Sequence, residues 1–186
     1  NKSNTTQKLE DVGNFLGSKE SLVAVAAGSY FIGVVFKDNK LKKAGLFTVG
    51  ASIATSIVSI AFKETFQRSR PRDNKGPYDF FKSGDKSFFS GHATQAFTLA
   101  TVISELYKED YPIVPYVAYG LASITAYARM HNNAHWASDV IFGAVAGHLI
   151  TKLFLSAVTG NKEGRGGLTV YPSFDPINST VMLMFD

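Results

Sequence analysis

Three long stretches without a charged residue constrain the fold of this chain more than any other feature of its sequence. They cover residues 21–36, 44–62 and 112–128, and each is 16 to 19 residues long. A helix needs about 17 to 25 mainly apolar residues to cross the hydrocarbon core of a membrane, so these stretches are borderline spans. Because a helix that is apolar on all sides is buried, the sequence predicts either a membrane-embedded protein or a soluble helical bundle with buried central helices.

The composition of the whole chain favours the membrane. Its 186 residues are enough for one domain, and only 18% of them are charged, against about 25% in a typical soluble protein. Lys and Arg exceed Asp and Glu by 19 to 15, which is too small an excess to indicate a nucleic-acid partner. The chain contains no cysteine, so thiolate chemistry is excluded, and histidine must carry any nucleophilic role near neutral pH.

Local signals place the helices. The charged connection 37–43 suits an antiparallel hairpin of the first two apolar helices. Ser90 is a suitable N-cap for a helix over 92–107. Two asparagines at 132 and 133 separate the third apolar helix from a further helix, expected over 134–158.

Beyond residue 160 the chain is rich in glycine, and two short strands are predicted at 168–171 and 179–185. We therefore predict an all-α helical domain over residues 1–160 and a short β-like C-terminal extension over 161–186.

The first of three polar segments runs from Lys63 to Pro71. Lys63 and Arg70 are seven residues apart, about two helical turns, so on a continuing helix they would share one face. Pro71 disfavours helical geometry at Arg70, so the helix is expected to end there, with two cations pointing at one place. Arg68 and Arg72 flank this arginine and would meet a second phosphate or a lipid headgroup, although a solvated basic loop explains them equally well.

The second segment is Ser87 to Ala93. A glycine at a helix N-terminus leaves backbone N–H groups accessible, and together with the helix dipole these form an anion site. Gly91 occupies that position, and His92 would lie in the first helical turn.

The third segment is Arg129 to Asp139. Asp139 follows His135 by four residues, so on a helix its carboxylate would reach one imidazole nitrogen, fix the tautomer and leave the other nitrogen free to attack. A surface hydrogen bond is the plainer alternative for such a pair. His131 and His135 are also four apart, but two ligands without a third are weak evidence, so no metal site is predicted.

Together the three segments resemble the PAP2 superfamily, which comprises type 2 phosphatidic acid phosphatases, bacterial class A acid phosphatases and vanadium haloperoxidases. The family pattern is Lys-x6-Arg-Pro, then Pro-Ser-Gly-His, then Ser-Arg-x5-His-x3-Asp, and this chain supplies all three in order between Lys63 and Asp139. Phe89 and Ala128 stand where the family has Pro and Ser. The resemblance implies the family's helical bundle.

The resemblance also implies roles for individual residues. His135 would attack phosphorus with Asp139 holding it, while His92 would protonate the leaving oxygen and then activate water. The phosphate oxygens would be bound by Lys63, Arg70, Ser90, Gly91 and Arg129. The expected reaction is hydrolysis of a phosphomonoester or diphosphate through a phosphohistidine, without a metal or other cofactor and with vanadate as an inhibitor.

The apolar helices favour a lipid phosphate as substrate, and the resemblance suggests a bacterial envelope membrane with the site facing the periplasm. A soluble periplasmic acid phosphatase of broad specificity is an alternative. A vanadium haloperoxidase is a weaker one, since those enzymes are typically much longer. Binding of phospholipid headgroups without turnover is a third, but binding alone needs only the cations and not both histidines.

Overall fold

The computed structural model describes residues 4–81, 84–160, 173–174 and 181–182. Within this part of the chain lie six α-helices: α1 (Asn4–Leu16), α2 (Lys19–Val35), α3 (Asn39–Phe66), α4 (Gly91–Tyr107), α5 (Val114–His131) and α6 (Ala137–Thr159). A 3-10 turn, Pro71–Asp73, follows α3, and two short strands, β1 (Ser173–Phe174) and β2 (Val181–Met182), pair antiparallel. The all-α bundle predicted from the sequence is confirmed.

The predicted hairpin of apolar helices is formed by α2 and α3, which pack against each other. Asp38 caps α3, its side chain accepting from the backbone N–H groups of Lys40 and Leu41 at 2.8 and 3.1 Å. Gly45 permits the close approach, because a Cβ at this position would lie 2.5 Å from the carbonyl oxygen of Ala26. The hairpin is therefore formed as predicted, but its connection is shorter than 37–43, because α3 already begins at Asn39.

The central helix of the bundle is α4, which packs against α3, α5 and α6. Its buried residues are mostly Ala, Thr and Ser, and α6 presents glycines to it: a Cβ at Gly143 or Gly147 would lie 2.8 Å from the carbonyl oxygen of Ser90 or 2.5 Å from that of Thr94. Small residues on both helices therefore bring the start of α6 close to the start of α4.

The prediction for the end of α3 is wrong. The helix ends at Phe66, and Gln67 caps it in the left-handed region with φ of 41°, so Lys63 and Arg70 do not share a helix face. Pro71 restricts the backbone conformation only of Arg70. Where α3 ends depends on contacts with residues further along the chain. The N–H of Phe81 donates to the carbonyl of Phe66 at 2.9 Å, which turns the chain out of the helix at this point.

The C-terminal predictions are tested only in part. The expected strand at 168–171 lies outside the described residues. Val181–Met182 falls within the one expected at 179–185 and pairs with Ser173–Phe174. Division of the chain at residue 160 stays a prediction.

Much of the apolar surface of the bundle faces outward. By length and composition, the segments Asn39–Asp73 and Ala137–Thr159 are apolar enough to cross a membrane. Only 33% and 28% of their most apolar windows are buried within the molecule, whereas the core helix of a soluble protein is mostly buried. Large exposed side chains such as Phe31, Ile57 and Leu153 lie on α2, α3 and α6, so three helices present apolar side chains to the surroundings.

Candidate active site

The structure brings all three predicted segments to one cavity. This cavity has a volume of about 320 Å³ and lies at the end of the bundle where α3 and α5 finish and α2 and α4 begin. The predicted site residues that line it are Lys63, Arg70, Gly91, His92, Arg129 and His135. Among the described residues, no Asp or Glu lines it. Three predicted cations, a fourth at Lys19 and two imidazoles therefore surround a space without an acidic side chain.

The three cations, called the cationic wall below, come from different elements. Lys63 lies in the last turn of α3, with its ammonium 3.9 Å from where a Cβ at Gly91 would be. Arg70 donates to the carbonyl oxygen of Ala134 at 3.0 Å, and Arg129 lies in the last turn of α5. In the described part of the chain, none of the three forms an ion pair with a carboxylate. Their charge is therefore available to an anion.

Arg129 is held from outside the predicted segments. Its Nη1 donates to the side-chain oxygen of Asn14 on α1 at 2.7 Å, while its Nε is buried without a hydrogen-bond partner. A buried donor without a partner is costly, and a ligand in the cavity would remove part of that cost.

His135 is buried, and its hydrogen bonds decide which nitrogen carries the proton. Nδ1 lies 2.9 Å from the carbonyl oxygen of Ser87. A carbonyl oxygen only accepts, so Nδ1 must be the protonated nitrogen, and Nε2 keeps its lone pair. His135 is thus held as the tautomer that a nucleophile needs.

Asp139 acts on His135 less directly than the sequence suggested. Its Oδ2 is 3.8 Å from Nδ1 of His135, too far for a hydrogen bond. The helix α6 begins at Ala137, three residues later than predicted, so His135 lies before the helix and not on it. The Asp139 carboxylate caps the helix by accepting from the Trp136 N–H at 3.0 Å. The Ser87 hydroxyl joins the two, donating to Oδ2 at 2.6 Å while lying 3.3 Å from Nδ1.

Arg68 belongs to the same buried group, which excludes the second-phosphate role considered for it. It is 5% exposed, and its guanidinium pairs with Oδ1 of Asp139 and donates to the Ser138 hydroxyl at 2.8 Å and the Pro77 carbonyl at 2.6 Å. It also lies over the rings of Phe80 and Trp136. Arg68, Ser87, Trp136 and Asp139 are called the anchoring network below.

Ser90 and Gly91 form the start of α4, as predicted. Ser90 is fully buried and does not line the cavity; its hydroxyl accepts from the Ala93 N–H at 3.4 Å, and its own N–H donates to the carbonyl of Asp139 at 3.0 Å. Direct contact of Ser90 with phosphate therefore stays a prediction. Gly91 does line the cavity, so the N-terminus of α4 is available to an anion.

Both imidazoles of the cavity are held neutral. Burial lowers the pKa of His92 to about 4, and the neighbouring cations act in the same direction. Burial likewise lowers the pKa of His135 to about 4, with Asp139 opposing and the cations adding. At neutral pH His135 and His92 are therefore both neutral imidazoles, each with one nitrogen that keeps its lone pair.

The two residues that depart from the family pattern, Phe89 and Ala128, are both buried in apolar surroundings. Phe89 is fully buried in a cluster of aromatic rings that includes Phe62 and Phe142. Ala128 is fully buried against α1, since a Cβ at Gly13 would lie 2.7 Å from its own Cβ. At both positions the packing is apolar.

Sequence reasoning missed contributions from the N-terminal segment. Neither α1 nor the roles of Asn14 and Lys19 was expected, yet Gly17 and Lys19 line the cavity. The polar sequence of residues 4–16 carries no sign of these contacts, because each joins residues far apart along the chain.

Comparisons with known proteins agree with this arrangement. The pattern of the PAP2 superfamily matches residues 44–163. Two curated relatives come from Porphyromonas gingivalis: a lipid A 1-phosphatase, 38% identical over 43% of this chain and 19% of that protein, and a lipid A 4'-phosphatase, 27% identical over 63% and 56%. The chain thus spans about a fifth and just over half of the lengths of these two relatives.

Two solved structures share the fold. The crystal structure of Aquifex aeolicus LpxE superposes with a TM-score of 0.63 at 22% identity, covering 84% of this chain and 88% of that one. The structure of a transmembrane PAP2 type phosphatidylglycerolphosphate phosphatase from Bacillus subtilis superposes with a TM-score of 0.52 at 20% identity, covering 88% and 90%. Since the family pattern covers well over half of its length, the chain belongs to the PAP2 superfamily.

Proposed function

We propose that this protein is a phosphatase that removes a phosphoryl group from a lipid phosphate through a phosphohistidine at His135. The observation that carries the proposal is one cavity that, among the described residues, is lined by two neutral imidazoles and four cations, the cationic wall and Lys19, without a carboxylate. Phosphoryl transfer needs positioning and stabilisation of negative charge on the equatorial oxygens, and the cationic wall with the N-terminus of α4 offers both.

In the first step, Nε2 of His135 attacks phosphorus while the bond from phosphorus to the leaving oxygen breaks. Ser87 supports this step, because its carbonyl holds the proton of His135 on Nδ1. Asp139 stabilises the positive charge that develops on the ring through space and through the Ser87 hydroxyl. The leaving oxygen takes its proton from His92.

His92 changes its protonation during the cycle. Its pKa is low in the empty cavity because of burial and neighbouring cations. A phosphate dianion cancels the effect of those cations, so the pKa rises and the imidazole can carry the proton it donates. In the second step neutral His92 takes a proton from water, which attacks phosphorus as the bond from phosphorus to Nε2 of His135 breaks.

Metal independence is part of the proposal. The cationic wall supplies the charge that divalent metals supply in other phosphatases. We expect EDTA to leave turnover unchanged and vanadate, which mimics the phosphoryl group in transit, to inhibit it. Loss of activity in EDTA that a divalent cation restores would contradict this part.

An apolar groove supports a lipid as the substrate. It runs between α2 and α3, has a volume of about 600 Å³, and is lined mainly by aliphatic side chains. The groove and the cavity share Lys19, Ser56, Ile60 and Gln95, so the two spaces adjoin. A phosphate in the cavity would therefore have an apolar channel beside it for a hydrocarbon chain.

The setting we propose is a bacterial envelope membrane with the cavity at its periplasmic face. Support comes from the two segments able to cross a membrane, from their largely unburied apolar surface, and from the transmembrane relative of known structure. The names of the curated relatives, lipid A phosphatases, favour a lipid phosphate over a small soluble monoester.

The test is a phosphate-release panel on purified protein in detergent micelles. It compares p-nitrophenyl phosphate with lipid A, phosphatidic acid and a polyprenyl phosphate at equal concentration. We expect kcat/KM to be highest for a lipid phosphate. No release from any of them would refute the phosphatase, and preference for the water-soluble monoester, unchanged without detergent, would favour the soluble acid phosphatase.

A further inference from the structure

Lys19 lies where the catalytic cavity meets the apolar groove, since it lines both. It precedes the region that matches the family pattern, residues 44–163, and no motif of that pattern includes it. Its position is fixed by the turn between α1 and α2. A Cβ at Gly17 would lie 3.0 Å from both Cβ and the carbonyl oxygen of His92, so this turn is pressed onto the first turn of α4.

The ammonium of Lys19 is unpaired within the part of the chain that the structure describes. Among the described residues it forms no ion pair, and the cavity it lines contains no carboxylate. Lys19 is also the first residue of α2, after the N-cap Ser18, where the helix dipole disfavours a cation and favours an anion. Lys19 is exposed, so its charge is accessible to an anionic ligand, and the helix dipole favours an anion at the same place.

The charges of the cavity indicate how many anionic groups fit. Even before His92 takes up its proton, the cationic wall carries three positive charges, and a phosphomonoester dianion offsets only two of them. Lys19 then adds a further positive charge that a single phosphate leaves without a counterpart. A second phosphate next to the first would supply that counterpart.

We propose that Lys19 determines substrate preference by binding the second phosphate of a lipid diphosphate. The inference rests on the phosphatase function proposed above. The order along such a substrate matches the order of the spaces: terminal phosphate in the cavity, inner phosphate at Lys19, hydrocarbon chain in the groove between α2 and α3. His135 attacks the terminal phosphorus, the bridging bond breaks, and the lipid monophosphate leaves with a proton from His92.

The experiment compares two substrates that share one hydrocarbon chain, farnesyl diphosphate and farnesyl phosphate, by initial phosphate release in detergent micelles. We expect Lys19→Gln to lower kcat/KM for the diphosphate about tenfold, chiefly through KM, because one charge-assisted contact at an exposed lysine is lost. The value for the monophosphate should change less than about twofold. Lys19→Arg, which keeps the charge, should retain most of the preference.

Lys43→Gln is the matched control, because this exposed lysine lies on α3 about 30 Å from Lys63 at 1.5 Å per residue. This variant should leave kcat/KM unchanged for both substrates. A second measurement needs no lipid: the inhibition constant of methylenediphosphonate should rise about tenfold in Lys19→Gln, while that of inorganic phosphate stays constant.

If Lys19→Gln lowers kcat/KM equally for both substrates, Lys19 contacts the phosphate under attack or serves folding. If kcat/KM changes for neither substrate, Lys19 has no role in substrate binding. Either result overturns the inference, but the proposed phosphatase function stands. If the unaltered protein releases phosphate from neither substrate nor from any lipid phosphate of the panel, the proposed function itself fails and the inference falls with it.

Discussion

The two sides of His135 differ in how their charges are balanced. In the anchoring network, the carboxylate of Asp139 is fully buried and paired with Arg68, and its oxygens also accept from Ser87 and Trp136. In the cationic wall, three positive side chains face the cavity with no carboxylate partner in the described structure. A network with paired charges holds its members in place, whereas an unpaired wall is prepared for an anion that comes and goes.

The largest expected effect is the loss of turnover when His135, which lies between the anchoring network and the cationic wall, is replaced. We expect His135→Ala to lower kcat by at least about 10³-fold, because water cannot replace a covalent nucleophile. His131→Asn, at a histidine four residues earlier that does not line the cavity, is the control and should keep most of the activity. Turnover of His135→Ala near that of the control would show that neither side of the comparison serves a phosphohistidine.

The anchoring network should matter more for stability than the wall. Arg68→Met would leave the Asp139 carboxylate buried without its counter-ion, so the free energy of unfolding should fall by about 3 to 5 kcal/mol. Arg72→Met removes an arginine whose side chain is 61% exposed and should cost less than about 0.5 kcal/mol. Denaturation in mixed micelles measures both.

Adding Asp139→Asn to Arg68→Met sharpens that test. The double variant no longer contains a buried unpaired charge, so it should recover part of the loss. Equal stability of Arg68→Met and Arg72→Met would mean that the network carries no structural charge pair.

The wall should respond to an anion through His92. The pKa of this imidazole is about 4 in the empty cavity because burial and the cations disfavour its charged form. Bound vanadate offsets the cations, so the pKa should rise by at least about one unit. The measurement is an NMR titration of the His92 ring with and without vanadate, assigned with His92→Gln.

The lowered pKa of His92 also determines how the stability of the folded state depends on pH. A pKa below the ordinary one means that the unfolded chain binds more protons than the folded one between about pH 4 and 6.5, so the folded state should lose stability as pH falls through this window. His92→Gln should weaken this dependence. An unchanged pKa on vanadate binding would break the proposed link between wall and acid.

The smallest expected effect tests how the wall is held. Asn14→Ala removes the acceptor of the 2.7 Å hydrogen bond from Arg129, and kcat/KM should fall about fivefold, the equivalent of one hydrogen bond. Asn4→Ala, at the exposed first residue of the same helix, should leave it unchanged. Identical values for the two variants would show that α1 does not position Arg129.

That six of the predicted site residues line one cavity could be expected from the sequence, because they stand at the spacing of the family pattern; their roles stay predictions. His92, His135 and the cationic wall lie in three motifs spaced as in the PAP2 superfamily, and the resemblance implied that they meet at one phosphate. The start of the central helix α4 was likewise predicted from its N-cap Ser90. These features depend on neighbours along the chain.

The anchoring network could not be predicted for the opposite reason. Arg68 and Arg70 have the same charge and lie two residues apart, yet one is buried against Asp139 and the other lines the cavity. What separates them is the loop at Pro77 to Phe80, which encloses only the first. The contact between Asn14 and Arg129 spans most of the chain and leaves no local trace.

The most direct measurement is identification of the residue that carries the phosphoryl group. His92→Asn should slow hydrolysis of the intermediate, and p-nitrophenyl phosphate needs no acid to release its leaving group, so phosphoenzyme should accumulate after rapid mixing. Peptide mass spectrometry at alkaline pH is expected to place the phosphate on His135, with none in His92→Asn/His135→Ala. Phosphate on any other residue, or a burst of p-nitrophenol with His135 unmodified, would contradict the central claim.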